Sequence, residues 1–134
     1  MTREGHSHRQ IVLASASRAR RELLAAAGIA FTVEPADVDE PALRRELGPR
    51  THAADVAAAL ARAKAEDVGR RHHDCLVIGA DQVLAFGEEI LSKPGDEAGA
   101  RATLLKLRGK THALHSAVAF AEDGKVTWIH TATA

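Results

Sequence analysis

Asp81 follows directly on an apolar run, Leu76-Val77-Ile78-Gly79-Ala80, so a carboxylate is delivered where a buried strand reaches the edge of its sheet. Ligands bind at that position in open α/β sheets. A carboxylate there can hold a divalent cation or accept a proton from attacking water. The plainer reading is a strand-end aspartate making a turn hydrogen bond, and the residue alone does not separate the two. A second chemical feature lies near the start of the chain, in Leu13-Ala14-Ser15-Ala16-Ser17-Arg18-Ala19-Arg20-Arg21. Small polar residues there precede a helix whose first turn carries arginines. Helix N–H groups and the positive end of the helix dipole attract an anion, and arginine adds charge-assisted bidentate hydrogen bonds, which suits phosphate. An ordinary capped helix with solvated arginines is the alternative. Asp37, Asp39 and Glu40 place more carboxylates in one loop, either a solvated acidic stretch or part of a cation site. Lys64, on a helix, and Lys93, just before Pro94, can each act as a point charge for phosphate or remain solvated.

The histidines carry less. His6, His8, His72 and His73 fall in polar stretches with no Cys or spaced carboxylate to complete a zinc set, and they are assigned to solvent. His112 and His115, an odd number of residues apart, face opposite sides of one strand and are not co-ligands.

These groups act together only if the backbone brings them together. Ile11 to Ala14 reads as a buried strand, starting at Gln10 and ending at about Ser15. Ser17 caps a helix through Ala27, with Leu23 and Leu24 facing the core and Gly28 as its left-handed stop. Phe31 to Glu34 is extended and Pro35 to Pro41 irregular; Thr51 then opens a long helix carrying Val56, Leu60 and Val68 at helical intervals. Cys75 to Ala80 is a second buried strand, followed by a turn at Gly87 and a short apolar segment at Ile90 and Leu91. Asp96 caps a helix containing Leu104, Leu105 and Leu107, which Gly109 ends. Thr111 to Ala121 is a strand, Glu122-Asp123-Gly124-Lys125 a hairpin turn, and Val126 to Thr133 the returning strand. Alternating strands and helices indicate an α/β domain with a mixed sheet. The last strand reaches Ala134 without a breaker, and the expectation is a single domain over 1–134 that is incomplete at its C-terminus.

Composition narrows the class. A chain of 134 residues accommodates one domain, and its 46% apolar content is that of a soluble globular protein. Lys plus Arg equals Asp plus Glu at 18 each, so no global field draws the protein to nucleic acid or membrane, and anion binding must be local. No apolar run reaches the roughly 18 residues of a membrane span. The single cysteine, Cys75, sits among apolar neighbours as a buried thiol, which fits a reducing cytoplasm.

Six segments in order resemble the Maf family: Leu13-Ala14-Ser15-Ala16-Ser17 with Arg20-Arg21-Glu22-Leu23-Leu24, Val38-Asp39-Glu40, Ala61-Arg62-Ala63-Lys64-Ala65, Gly79-Ala80-Asp81-Gln82-Val83, Ser92-Lys93-Pro94 and Leu107-Arg108-Gly109-Lys110-Thr111-His112. The resemblance implies a Maf/Ham1 (ITPase-like) α/β fold, a mixed twisted sheet flanked by helices, with the family's closing C-terminal part absent. It implies hydrolysis of nucleoside triphosphates, ordinary or modified, to the monophosphate and pyrophosphate with a divalent cation, Mg or Mn. On that resemblance Asp81 is the catalytic carboxylate, Glu40 joins it near the metal, and Ser15, Arg20, Lys64 and Lys93 contact the triphosphate. Ala19 stands where the pyrimidine-triphosphate branch has arginine and Gln82 where it has threonine, so both bear on substrate choice and the pattern is closer to the 7-methyl-GTP branch. The expected partner is a nucleoside triphosphate, with a homodimer allowed. A noncatalytic nucleotide-binding or septum-regulating protein is the rival reading.

Overall fold

The structure, a computed structural model, describes residues 9–86, 89–91 and 112–134. The helix expected from Asp96, the turn at Gly87 and Lys93 lie outside the described residues. Val12, Leu13 and Ala14 are buried in succession along β1, Gln10–Ala14, the pattern of a strand covered on both faces. On one side β1 pairs in parallel with β2, Thr32–Val33, and on the other with β3, Cys75–Phe86. The sheet continues antiparallel through β5, Ala113–Glu122, and β6, Lys125–Thr133, while β4, Glu89–Leu91, folds back on the far end of β3. The resulting order is β2-β1-β3-β5-β6. This is the mixed α/β sheet that the alternation of elements indicated. Asp123 at φ 53° and Gly124 at φ 81° turn β5 into β6 with two successive left-handed residues, the geometry that matches strand twist in a tight hairpin.

Three helices accompany the strands among the described residues: α1, Arg18–Ala26; α2, Glu40–Leu47; and α3, Ala53–Gly69. The core lies between α3 and one face of the sheet, where Val56, Leu60, Ala61, Ala65 and Val68 meet Val77, Val83, Ala117, Ala119 and Ala121. Small residues dominate this layer and let the helix sit close. A Cβ added at Gly79 would come within 2.3 Å of the Ala61 carbonyl oxygen and 2.7 Å of the Ala65 nitrogen, so only glycine fits there.

Four local expectations are corrected. Leu23 is 70% exposed and no residue of α1 is buried, because two adjacent leucines lie about 100° apart on a helix and do not make a stripe. The end of α1 is as expected, with Gly28 at φ 77°. Pro35 to Pro41 is not irregular throughout: α2 starts at Glu40, its first-turn Ala42 N–H bonded to Asp39 Oδ1 and Pro41 in its opening turn. Thr51 is not the cap of α3, for its hydroxyl donates to the Leu47 carbonyl and the helix begins after His52. Asp81, finally, does not end its strand, since β3 runs on through Phe86.

Candidate catalytic site

Pairing explains why Asp81 is nonetheless at an opening. The parallel ladder between β1 and β3 ends at Ala14 and Gly79, and the antiparallel ladder with β4 begins only at Leu84. Between them β3 has a described strand partner on one side alone, that of β5, with Asp81 opposite Ala117. Beyond Ala14 the chain turns away into α1, while β2 and β3 flank β1 on opposite sides. Such a divergence leaves a crevice at the carboxyl ends of the parallel strands.

Asp81 points to the α3 face and is 3% exposed. Lys64, on α3, donates from Nζ to Asp81 Oδ1 at 2.9 Å, and the same ammonium lies 3.5 Å from Glu40 Oε1 at the start of α2. The Gly79 contact makes this meeting geometrically possible, because Ala61 and Ala65 bracket Lys64 on the helix that rests there. Asp81 Oδ2 is buried and has no hydrogen-bond partner among the described residues. An unsatisfied buried acceptor of this kind costs about 1–3 kcal/mol or more for a charged group, so the oxygen is open to a water or a cation. Among the described residues no three His, Cys, Asp or Glu side chains converge as a metal-binding group. Glu40 and Asp81 are a two-carboxylate set, which suits Mg completed by water and substrate phosphates.

The other end of the site is built at the β1–α1 junction. Ser15, 6% exposed, accepts at Oγ from the Ser17 N–H at 3.1 Å and from Arg20 Nη1 at 3.0 Å. Ser17 caps α1 by accepting from the Arg20 N–H at 3.3 Å. Burial holds the Arg20 pKa below its ordinary value and the charge of Asp81 opposes that shift, so the guanidinium and the carboxylate share one field. Arginine remains charged regardless.

Ser15, Arg20, Lys64, Glu40 and Asp81 thus belong to one neighbourhood. Ala19 is exposed on the first turn of α1. Gln82 is exposed and, being next to Asp81 on a strand, points to the other face, where its Nε2 donates to Ser116 Oγ at 3.3 Å. Lys93 lies outside the described residues. A cavity of about 500 Å³ lined by Arg44, Val56 and Ile90 opens beside α2, and among the described residues no carboxylate lines it.

Sequence reasoning missed a polar cluster just past the end of α3. His72, expected in solvent, bonds Glu34 Oε1 through Nε2, and Arg71 bonds both Glu34 and Asp67. His73 is solvent-exposed as expected, 3.5 Å from Asp123. The Asp67–Arg71 spacing of one helical turn was the only signal available for this group.

The Maf-like protein pattern matches residues 10–134. A 7-methyl-GTP pyrophosphatase of Mesorhizobium japonicum is 47% identical over 122 residues, 90% of this chain and 61% of that protein. A nucleoside triphosphate pyrophosphatase of Paramagnetospirillum magneticum is 50% identical over 124 residues, 92% of this chain and 64% of that protein. The chain therefore spans less than two thirds of the length of these curated relatives. In fold it is similar to a HAM1 protein from Coxiella burnetii, with a TM-score of 0.52 at 15% identity, covering 93% of this chain and 69% of that one. With the pattern running from β1 through β6 and such relatives near half identity, the chain belongs to the Maf-like protein family.

Proposed function

We propose that this chain carries the catalytic site of a nucleoside triphosphate pyrophosphatase, which releases pyrophosphate and a nucleoside monophosphate. The observation that carries the reading is the buried, unpartnered Oδ2 of Asp81 beside the Lys64 ammonium and the Glu40 carboxylate. The triphosphate lies with its negative charge against Arg20 and Lys64, at the start of α1 where Ser15 and Ser17 order the backbone. Lys64 occupies Asp81 Oδ1, which leaves Oδ2 to receive the proton of a water attacking the α-phosphorus. The bond from that phosphorus to the bridging oxygen breaks, and its electrons leave with pyrophosphate. Lys93 is assigned to the same triphosphate. A divalent cation, Mg or Mn, held by Asp81 and Glu40 would supply further charge stabilisation to the phosphate oxygens.

The names of similar proteins support 7-methyl-GTP, or another modified purine nucleotide, ahead of UTP and dTTP. No described helix is long and apolar enough to cross a membrane, and the buried free thiol of Cys75 supports action in the reducing cytoplasm.

The test is an assay of pyrophosphate and monophosphate release from 7-methyl-GTP, GTP, UTP and dTTP with Mg or Mn. Orthophosphate in place of pyrophosphate would overturn the reading, because a different bond would have broken. Tight nucleotide binding without turnover would favour the noncatalytic alternative.

A further inference from the structure

Residues 34–40 run along α3 in the opposite direction and are tied to it at successive levels. Arg71 Nε donates to Glu34 Oε2 at 2.7 Å, and His72 Nε2 meets the other oxygen of Glu34. The Asp37 N–H donates to Asp67 Oδ2 at 2.9 Å. Glu40 Oε1 then faces Lys64 Nζ at 3.5 Å. Each advance of three residues along the strap, from Glu34 to Asp37 to Glu40, meets a residue about one turn further back: Arg71, just past the end of α3, then Asp67 and Lys64 on it. Lys64 and Asp67 share one face of α3, and Arg71, in the turn that follows, extends it. Arg71 also joins two of the levels, because its Nη1 donates to Asp67 Oδ2 at 3.0 Å while its Nε holds Glu34.

Apolar packing does little to fix this strap. Of residues 34–39, Ala36 alone is among the partly buried hydrophobics packed against the core, and the Glu40 side chain is 45% exposed. A segment without a packed face slides in register unless polar contacts stop it.

We infer that Glu34, Asp67 and Arg71 are positioning residues that set the register of the strap, so that Asp39 caps α2 and Glu40 arrives opposite Lys64 at the cation-holding position. The inference rests on the proposed role of Glu40. The bonds are strong enough to perturb the groups they join: His72 and then Arg71 hold the Glu34 carboxyl below its usual range, and Glu34 and then Asp67 raise the Arg71 pKa. Burial of Asp67 opposes its charge, yet the Asp37 amide and Arg71 outweigh it and lower its pKa.

The experiment is a titration with Mn²⁺ alone, nucleotide-free, followed by the EPR signal of the free ion, on the wild type, Glu40→Gln, Arg71→Ala and the double variant. Arg71→Ala is expected to weaken Mn²⁺ binding about 10-fold, as loss of an outer support does at metal sites. In the Glu40→Gln background it is expected to add nothing further. Unchanged affinity in Arg71→Ala, when Glu40→Gln weakens binding, overturns the positioning role alone. An equal loss from Arg71→Ala in both backgrounds overturns it too, since the arginine then acts on the fold at large and not through Glu40. Absence of Mn²⁺ binding by the wild type, or no effect of Glu40→Gln, removes the cation role of Glu40 and the inference with it. Melting curves accompany each variant. Should Arg71→Ala not fold, Asp67→Asn, which weakens the Asp37 level and the link from Asp67 to Arg71, enters the same cycle with the same expectations.

Discussion

Asp81 reaches Lys64 from within a long strand that pairs with β5 and packs beneath α3, whereas Glu40 reaches the same ammonium from the first turn of a short helix fed by an exposed strap. The first carboxylate is held by burial and close packing, and the second by hydrogen bonds and ion pairs in contact with water. The difference teaches that one site can have a rigid wall and an adjustable wall. Packing is indifferent to salt and mild acid, while exposed ion pairs are screened by the one and discharged by the other.

The strongest way to break the comparison is to remove the carboxylate of the rigid wall. Asp81→Asn is expected to lower turnover at saturating nucleotide by about 10²–10⁴-fold, because an amide is a poor base and a weak cation ligand. The melting temperature, measured alongside, is expected to stay close to the parent. A loss of less than tenfold would take the proton-accepting role away from Asp81.

Gly79→Ala probes how that wall is built. The new methyl meets the backbone of α3 at Ala61 and Ala65, so the helix must move, at a cost expected to be about 1–3 kcal/mol in urea unfolding. Movement of α3 carries Lys64 away from Asp81, so activity falls as well. Unchanged stability would show that the helix has room to back off.

The adjustable wall is sharpened by pH. Glu34 and Asp67 have folded pKa values below their ordinary ones, so their contribution to stability is present above the unfolded pKa, near 4 for carboxylates. It is lost as pH falls through the lower folded values. The difference in melting temperature between the wild type and Arg71→Ala is therefore expected to be greatest above about pH 5 and to close towards pH 3. A difference that persists in acid would mean that Arg71 contributes by packing its stem.

The smallest expected effect concerns Gln82, whose side chain leaves the Asp81 face for Ser116. Gln82→Ala is expected to change the ratio of kcat/KM for 7-methyl-GTP over UTP by about fivefold or less, the net worth of one hydrogen bond. A hundredfold change would place the amide directly on the base.

The rigid wall was largely legible in the sequence. Val12, Leu13 and Ala14 announce a strand buried on both faces, Val56, Leu60 and Val68 mark the inner side of α3, and Asp123-Gly124 is a turn that left-handed backbone requires. A charge placed against such a run stands out, as Asp81 does. The adjustable wall was not legible. Glu34 lies more than 35 residues along the chain from Arg71 and His72, and nothing in hydropathy pairs it with them. Asp39 and Pro41 were helix-start signals, hidden by the acidic residues around them. Leu23 and Leu24 misled in the opposite sense, since an apolar pair was read as a core face.

The seat of α3 on Gly79 also bears on the order in which the chain acquires its structure. Helix and strand there are neighbours in sequence, and a loop of under about 20 residues closes at low entropic cost. The parallel pairing of Gln10 with Cys75 joins residues far apart and has to wait for the slower search. Asp81 and Lys64 are thus expected to be in place before Ser15 and Arg20 dock beside them, with amides of α3 and β3 protected earlier than those of β1 in pulse-labelled refolding. On this order the Ser15–Arg20 edge is added to a carboxylate–ammonium pair already formed.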